Sequence, residues 1–386
     1  MRESPPYVLF RDDRAGETTL FAAPEEIVTV RRAADFADGL RRIEAARDAG
    51  KWIAGFMAYE AGHLFEPKLA PLTVDDRETP LMSFGVFSGP AAGDHPLAQP
   101  RQRTENAPLL TEAVAAWDFP AYERRFARLH RHLREGDCYQ ANLTMPVHAR
   151  WTGDPRAAFW SLIERQPVRY GALVHLDGPI LLSRSPELFF SVDAERMIET
   201  HPMKGTAPRG ATPEEDVRIV RALREDPKSQ AENRMIVDLL RNDVSRISEV
   251  GTLDVPALFA VEAYPTVHQM VSHVRARLED GVGITDIFRA LFPCGSVTGA
   301  PKMRAMEILH ALEEGPRDAY CGAIGVIAPD GRMRFSVAIR TISLFDDGRA
   351  VFNVGGGIVF DSDARAEYAE CLLKARFAVG DATIAP

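Results

Sequence analysis

Two stretches of closely spaced, hairpin-linked strand signals, residues 170–200 and 320–359, constrain this chain more than any other feature. In the first, β-rich runs flank Asp177-Gly178, a pair that accepts the positive φ angles of a tight hairpin turn. In the second, strand-like runs are broken by turns at Pro329-Asp330-Gly331 and Asp346-Asp347-Gly348. Helical segments separate the two stretches, but strand and helix never alternate regularly. A parallel βαβ sheet is thereby disfavoured, and an α+β fold with large antiparallel sheets is expected.

The helices carry legible ends. Asp118-Phe119-Pro120 offers a cap followed by proline in the first turn, and Gly136 closes the segment. Within it Tyr122, Phe126, Leu129 and Leu133 recur at helical spacing. Thr212-Pro213-Glu214-Glu215 reads as a capping box. Further helices are expected over 33–48, over 231–240 and from Asp363 onward. Residues 89–116, rich in proline, alanine and polar side chains, read as a surface excursion.

Composition removes several function classes. With 386 residues, 46% of them hydrophobic, the chain can bury a core without disulfides or metal. Asp and Glu outnumber Lys and Arg by 55 to 46, a net charge of −9 that argues against a nucleic-acid binder. No apolar run approaches the ~18 residues of a membrane span. Cysteines 138, 294, 321 and 371 are scattered, without zinc-site spacing. A reduced, cytoplasmic protein is expected.

Several short motifs can carry chemistry. Gly295 to Lys302 lacks P-loop spacing, and Gly355-Gly356-Gly357 lacks the third spaced glycine of a dinucleotide fingerprint. Thr298-Gly299, just before Pro301, reads as backbone N–H donors at a helix start, suited to a carboxylate or a phosphate, or simply as a tight turn. On the last helix Glu367, Glu370 and Lys374 share one face. Two carboxylates so spaced can reach a hard cation such as Mg²⁺, although a solvated face with a Glu370–Lys374 pair is the commoner case. Glu232 stands similarly in a mostly apolar helix. Lys204 lies in the turn-rich loop His201 to Gly210, where burial would depress its pKa toward an amine nucleophile; a surface lysine is the commoner case. Glu187 precedes Leu188-Phe189-Phe190, and desolvation there would raise its pKa toward general-acid work. The alternative for Glu187 is an edge-strand carboxylate.

Taken in order, Cys138 to Thr144, Ser185-Pro186-Glu187, Pro202 to Thr206, Ala231 to Asp243, Phe292 to Lys302, Gly355 to Ile358 and Glu367 to Lys374 resemble the motifs of the chorismate-utilising enzymes. The likeness spans residues 118–378; residues 1–116 are less diagnostic, and the chain 1–386 is expected to form one catalytic unit. The resemblance implies antiparallel sheets packed as a sandwich with helices outside. It also implies Mg²⁺ held by Glu232 and Glu370 with Glu367 beside them. Gln140, Thr206, Thr298, Gly299, Tyr320, Arg340, Gly355, Gly356, Gly357 and Lys374 would surround the substrate, chorismate. Family members that add water at C2 have a lysine where this chain has Gln140. Members that aminate C2 to give anthranilate have a small residue where this chain has Lys204. The Pro-x-Lys-Gly-Thr pattern resembles members that replace the C4 hydroxyl by an amine, on the path to para-aminobenzoate and folate. There Lys204 would add at C2 and Glu187 would protonate the departing hydroxyl. The alternatives are C2 amination and a non-catalytic homologue. The sequence has no Gly-x-Cys-x-Gly glutaminase motif, so ammonia is expected from a separate glutamine amidotransferase subunit. Gln269 stands where family members commonly have histidine, and Cys294 where they have glycine.

Overall fold

The computed structural model describes residues 5–75, 77–101, 109–264, 267–380 and 384. Its strands form two large sheets in which every pairing is antiparallel. The nine-stranded sheet runs, strand beside strand, through Gly299–Ala300, Gln140–Trp151, Arg349–Ile358, Thr341–Leu344, Ile180–Ser185, Tyr170–His175, Tyr7–Asp12 and Glu17–Ala22, with Leu110–Ala115 also on Gln140–Trp151. The ten-stranded sheet runs through Met203–Pro208, Val267–Arg277, Met197–Thr200, Leu188–Val192, Met333–Val337, Ala323–Ile327, Trp52–Met57, Met82–Phe87 and Glu26–Val30, with Asp254–Ala263 also on Val267–Arg277.

Apolar side chains form three layers. Val8, Phe21, Ala172, Val174 and Leu181 of the first sheet meet Ala54, Phe56, Phe87 and Ile324 of the second. On the outer side of the first sheet, Leu143, Met145, Val147, Phe352 and Val354 pack with Tyr122, Phe126 and Leu129 of the Phe119–Glu135 helix and with residues of the Ala364–Val379 helix. On the outer side of the second, Phe190 and Phe335 pack with Phe36, Leu40 and Phe288 from helices. The result is a sandwich clad in helices, as the period-2 and period-3.6 patterns require.

The helix ends obey their sequence signals. Asp118 accepts a hydrogen bond from the N–H of Ala121 (2.8 Å), and Gly136 ends that helix at φ 79°. Asp363 caps the last helix through the N–H groups of Arg365 and Ala366. One local expectation fails: residues 109–116 are not a surface excursion. Leu110–Ala115 is a strand on Gln140–Trp151, and Leu109, Leu110, Ala113 and Ala115 are buried in the core. Neither alternation nor β-branching marked it strongly, so pairing with a neighbour, not propensity, makes it a strand.

The space between the sheets changes character along its length. Where Tyr7–Asp12 and Tyr170–His175 lie, it is apolar. Toward Gln140–Trp151 and Arg349–Ile358, the inward positions become Ser183, Ser185, Thr341, Ser343, Asn353, Thr144, Asn142 and Gln140, all buried. Buried strands seldom face one another through hydroxyls and amides, so this stretch locates the chemistry.

Candidate active site

The chain passes from one sheet to the other twice at this polar end. Ile180–Ser185 belongs to the first sheet and Leu188–Val192 to the second; Met333–Val337 belongs to the second and Thr341–Leu344 to the first. Glu187 and Arg340 sit in these two crossings. They are stitched together by Val337 N–H to Glu187 O (3.2 Å) and Arg184 N–H to Arg340 O (2.9 Å). Arg340 adopts φ 51°, a left-handed conformation unusual for a side chain of its size.

Glu187 is buried and accepts a hydrogen bond from the Ser296 hydroxyl on Oε1 (2.7 Å). Burial pushes its carboxyl up to about 7, against the opposing pull of Ser296, Lys204 and Arg340. Lys204 projects from Met203–Pro208, an edge strand of the second sheet, toward the first. Burial drives its ammonium below the ordinary lysine value; Glu232 opposes this and the neighbouring Lys374 reinforces it.

Gly357 shows where these groups converge. A Cβ on that residue would lie 3.0 Å from the Lys204 Nζ and 3.0 Å from the Gln140 Nε2, so the missing side chain leaves room between an amine and an amide. Both polar atoms of the Gln140 side chain are buried without a hydrogen-bond partner, and the residue is only 1% exposed. A buried, unpaired carboxamide is costly unless a ligand completes it.

The lysine loop has its own supports. Gly205 adopts φ 83°, and a Cβ there would strike Ser229 at 2.8 Å, so the loop lies directly against the start of the Pro227–Ser245 helix that carries Glu232. The Gln269 amide donates to Gly205 O (2.9 Å) while its carbonyl accepts from the Thr206 hydroxyl (2.9 Å). Gln269 thus clamps the two residues after Lys204. Thr206, expected among the substrate contacts, spends its hydroxyl on this clamp.

The acidic groups gather on the other flank of Lys204. Glu370 pairs with Lys374 (2.7 Å), and Lys374 also donates to Gly355 O (2.9 Å). Burial alone would raise the Glu370 pKa, but Lys374, Lys204 and Lys228 bring it below the ordinary value. Glu367 is held by the Ser362 hydroxyl (2.7 Å), beside Gly356; burial and then Glu370 raise its pKa. Glu232 lies 4.0 Å from Lys228. Among the described residues the three carboxylates do not form one tight ligand set. Among the described residues the only trio of candidate ligand atoms within 4.8 Å of one another is His132, Glu135 and Asp137 on the surface, where His132 and Arg304 already satisfy Asp137. The donor chemistry around Lys204 nonetheless fits a hard divalent cation: partly buried oxygen donors, crowded enough to repel, with lysines presently holding the cationic places.

Thr298 and Gly299 depart from the expected helix start. Gly299–Ala300 is a two-residue strand on Gln140 and Ala141, and the helix begins only at Lys302. The Thr298 N–H donates to Gly295 O (3.3 Å) and its hydroxyl to Cys294 O (2.9 Å). The segment pairs with the strand that carries Gln140, and both Thr298 donors are engaged within the chain. Tyr320, buried, lines a cavity of about 520 Å³ that continues along the same inward face past Asn353, Ser343 and Arg317.

Sequence reasoning missed Ser296 as the partner of Glu187, the clamp made by Gln269, and Arg317. The Arg317 guanidinium, 3% exposed, donates to both carboxylate oxygens of Glu313 (2.7 and 2.8 Å), to Asn142 O (2.6 Å) and to Val297 O (3.0 Å). Its own N–H donates to Glu60 (2.6 Å).

A family model described as chorismate binding enzyme matches residues 6–380. The aminodeoxychorismate synthase component 1 of Klebsiella aerogenes is 39% identical over 82% of this chain and 74% of its own length. An anthranilate synthase component 1 of Haloarcula marismortui is 37% identical over 78% of this chain and 62% of its own. Among solved structures, anthranilate synthase component I of Streptococcus pneumoniae superposes with a TM-score of 0.79 at 26% identity, covering 97% of this chain and 93% of that one.

Proposed function

We infer from membership of the chorismate binding enzyme family, to which this chain belongs, that it aminates chorismate at C4 to give 4-amino-4-deoxychorismate, in the supply of para-aminobenzoate. The observation that carries the reading is the convergence of the Lys204 amine and the orphaned Gln140 amide on the bare face of Gly357. A lysine with a depressed pKa is a competent nucleophile at neutral pH.

In the proposed sequence the Lys204 amine adds to C2 of the ring. The ring double bonds shift, the C4–O bond breaks, and Glu187 gives its proton to the departing oxygen, which leaves as water. Ammonia then adds at C4, the double bonds shift back, and the C2–N bond to Lys204 breaks. One hydroxyl is exchanged for one amine, with no oxidant or reductant. Glu187, holding its proton to about pH 7, serves as the acid. Arg340, Lys374 and the amide of Gln140 supply donors for the anionic substrate, which an acidic protein must otherwise repel.

Glu232 and Glu370, with Glu367 beside them, would hold Mg²⁺, whose charge would offset that of a substrate carboxylate. Ammonia would come from a glutamine amidotransferase subunit, in keeping with the component 1 designation of the relatives. Action in the cytoplasm is part of the same reading. Among the described residues no helix is long and apolar enough to cross a membrane.

The test is product identification after incubating the chain with chorismate, Mg²⁺ and an ammonium salt. 4-Amino-4-deoxychorismate, with its enolpyruvyl group intact, is expected. Anthranilate with released pyruvate would reassign the chain to C2 amination, and absence of turnover would leave a binding role.

A further inference from the structure

The Phe119–Glu135 helix turns its apolar side to the core and an arginine-rich side to solvent. Arg124, Arg128, Arg131 and Arg134 are all exposed, and the first three fall on one stripe at intervals of four and three residues. None of the four forms an ion pair among the described residues, in a chain with net charge −9. Exposed arginines on its other helices divide into two groups: Arg218, Arg224 and Arg376 also have no ion pair among the described residues. Arg41, Arg221, Arg241 and Arg289 each pair with a carboxylate three or four residues away on their own helix. An arginine stripe without internal partners repels itself and is relieved by an acidic surface from outside.

Two exposed aromatic residues adjoin this helix. Tyr139 is 68% exposed and Phe360 60% exposed. Both lie two residues beyond the paired Ala141 and Ile358, where the strands Gln140–Trp151 and Arg349–Ile358 end. His130, next to Arg131, bonds through Nε2 to Phe360 O (2.7 Å) and stacks between Phe126 and Phe360. Tyrosine and arginine are the residues that dominate interface energetics, and exposed aromatics flanked by cations make a typical anchor. The position matters as much as the composition. Tyr139 precedes Gln140, and Phe360 lies three residues beyond Gly357, in the turn after its strand. Beside them the site reaches solvent, where the side chains of Glu370 and Lys374 are 53% and 39% exposed.

We propose that the Arg124–Arg128–Arg131 stripe, with Tyr139 and Phe360 at its end, is the docking surface for an acidic face of the ammonia-supplying amidotransferase subunit. The proposal rests on the functional reading above, and it sets the donor subunit over the mouth through which ammonia must reach Lys204.

The test uses the full chain and the separately purified amidotransferase subunit of the same organism. The triple reversal R124E/R128E/R131E weakens binding of that subunit by at least about tenfold at low salt, and wild-type binding weakens as salt is raised. Glutamine-dependent amination at limiting subunit falls in parallel, while the ammonium-dependent rate stays at the wild-type level. Lysine at the same three positions restores most of the binding. Affinity within about twofold of wild type would overturn the proposal, as would an equal loss of the ammonium-dependent rate. Should the triple variant not fold, R128E and R131E singly carry the same measurement. A wild-type chain without ammonium-dependent product would sink the functional reading instead, and the binding measurement would still decide the surface.

Discussion

Two buried polar clusters share the inward face of the first sheet, and they are built on opposite principles. Around Arg317 four of the five guanidinium N–H donors are engaged, by Glu313, Asn142 O and Val297 O. Around Gly357 the Gln140 amide has no partner, the Lys204 amine is destabilised as an ammonium, and the Glu187 carboxyl is destabilised as a carboxylate. A saturated cluster holds elements together. An unsaturated one stores the tendency to react, and here Arg317 ties down the strand that carries Gln140 through Asn142 O.

The comparison can be broken most decisively at the lysine. Lys204→Ala is expected to lower turnover with ammonium on the order of 10⁴-fold or more, as loss of a nucleophile does, with the thermal midpoint almost unchanged. Steady-state rates beside a melting curve check this, and a variant of near-normal rate would strip Lys204 of its role. Arg317→Ala should do the reverse. It leaves the buried Glu313 carboxylate unpaired, so a loss of about 3–5 kcal/mol in urea unfolding is expected. A loss below about 1 kcal/mol would show that the saturated cluster is not what secures the fold. The smallest effect concerns pH. A neutral amine on Lys204 is favoured as pH rises, whereas Glu187 ceases to be an acid above about 7, so kcat/KM should fall on the alkaline side near that value. The Ser296 hydroxyl favours the Glu187 carboxylate and holds its pKa down. Ser296→Ala should therefore move the alkaline limb upward by about one to two pH units, the equivalent of a charged hydrogen bond. A limb that stays put or moves down would remove Glu187 as the acid.

What was legible in the sequence was local. Asp118, Gly136, Thr212 and Asp363 announced helix ends because capping acts over a few residues. The hairpin at Asp177-Gly178 was equally plain, joining Tyr170–His175 to Ile180–Ser185. The depressed lysine and the elevated carboxyl were inferred correctly in direction, because turn residues around Lys204 and the apolar run after Glu187 imply burial. Contacts between distant residues left no such trace. Ser296 reaches Glu187 across 109 positions, and Gln269 reaches Thr206 across 63. Gln269 had stood out only as a departure from a family pattern, and the hydrogen bonds give it a physical task. Leu110–Ala115 was misjudged because its strand character comes from the neighbour it joins. The pairing of Gly299–Ala300 with Gln140 and Ala141 was not visible in a segment that reads locally as a turn before a helix.

The crossings at Glu187 and Arg340 also bear on how this catalyst can move. Lys204 rides on one plate of the sandwich, the Gln140 amide facing it on the other, and Glu187 on the strap between them. Any slippage of the plates alters the gap between amine and amide while carrying the acid only part of the way. With the roles proposed above, reactivity is tied to inter-plate spacing, and repacking remote contacts such as Phe21 against Phe87 would detune it without touching a reacting atom.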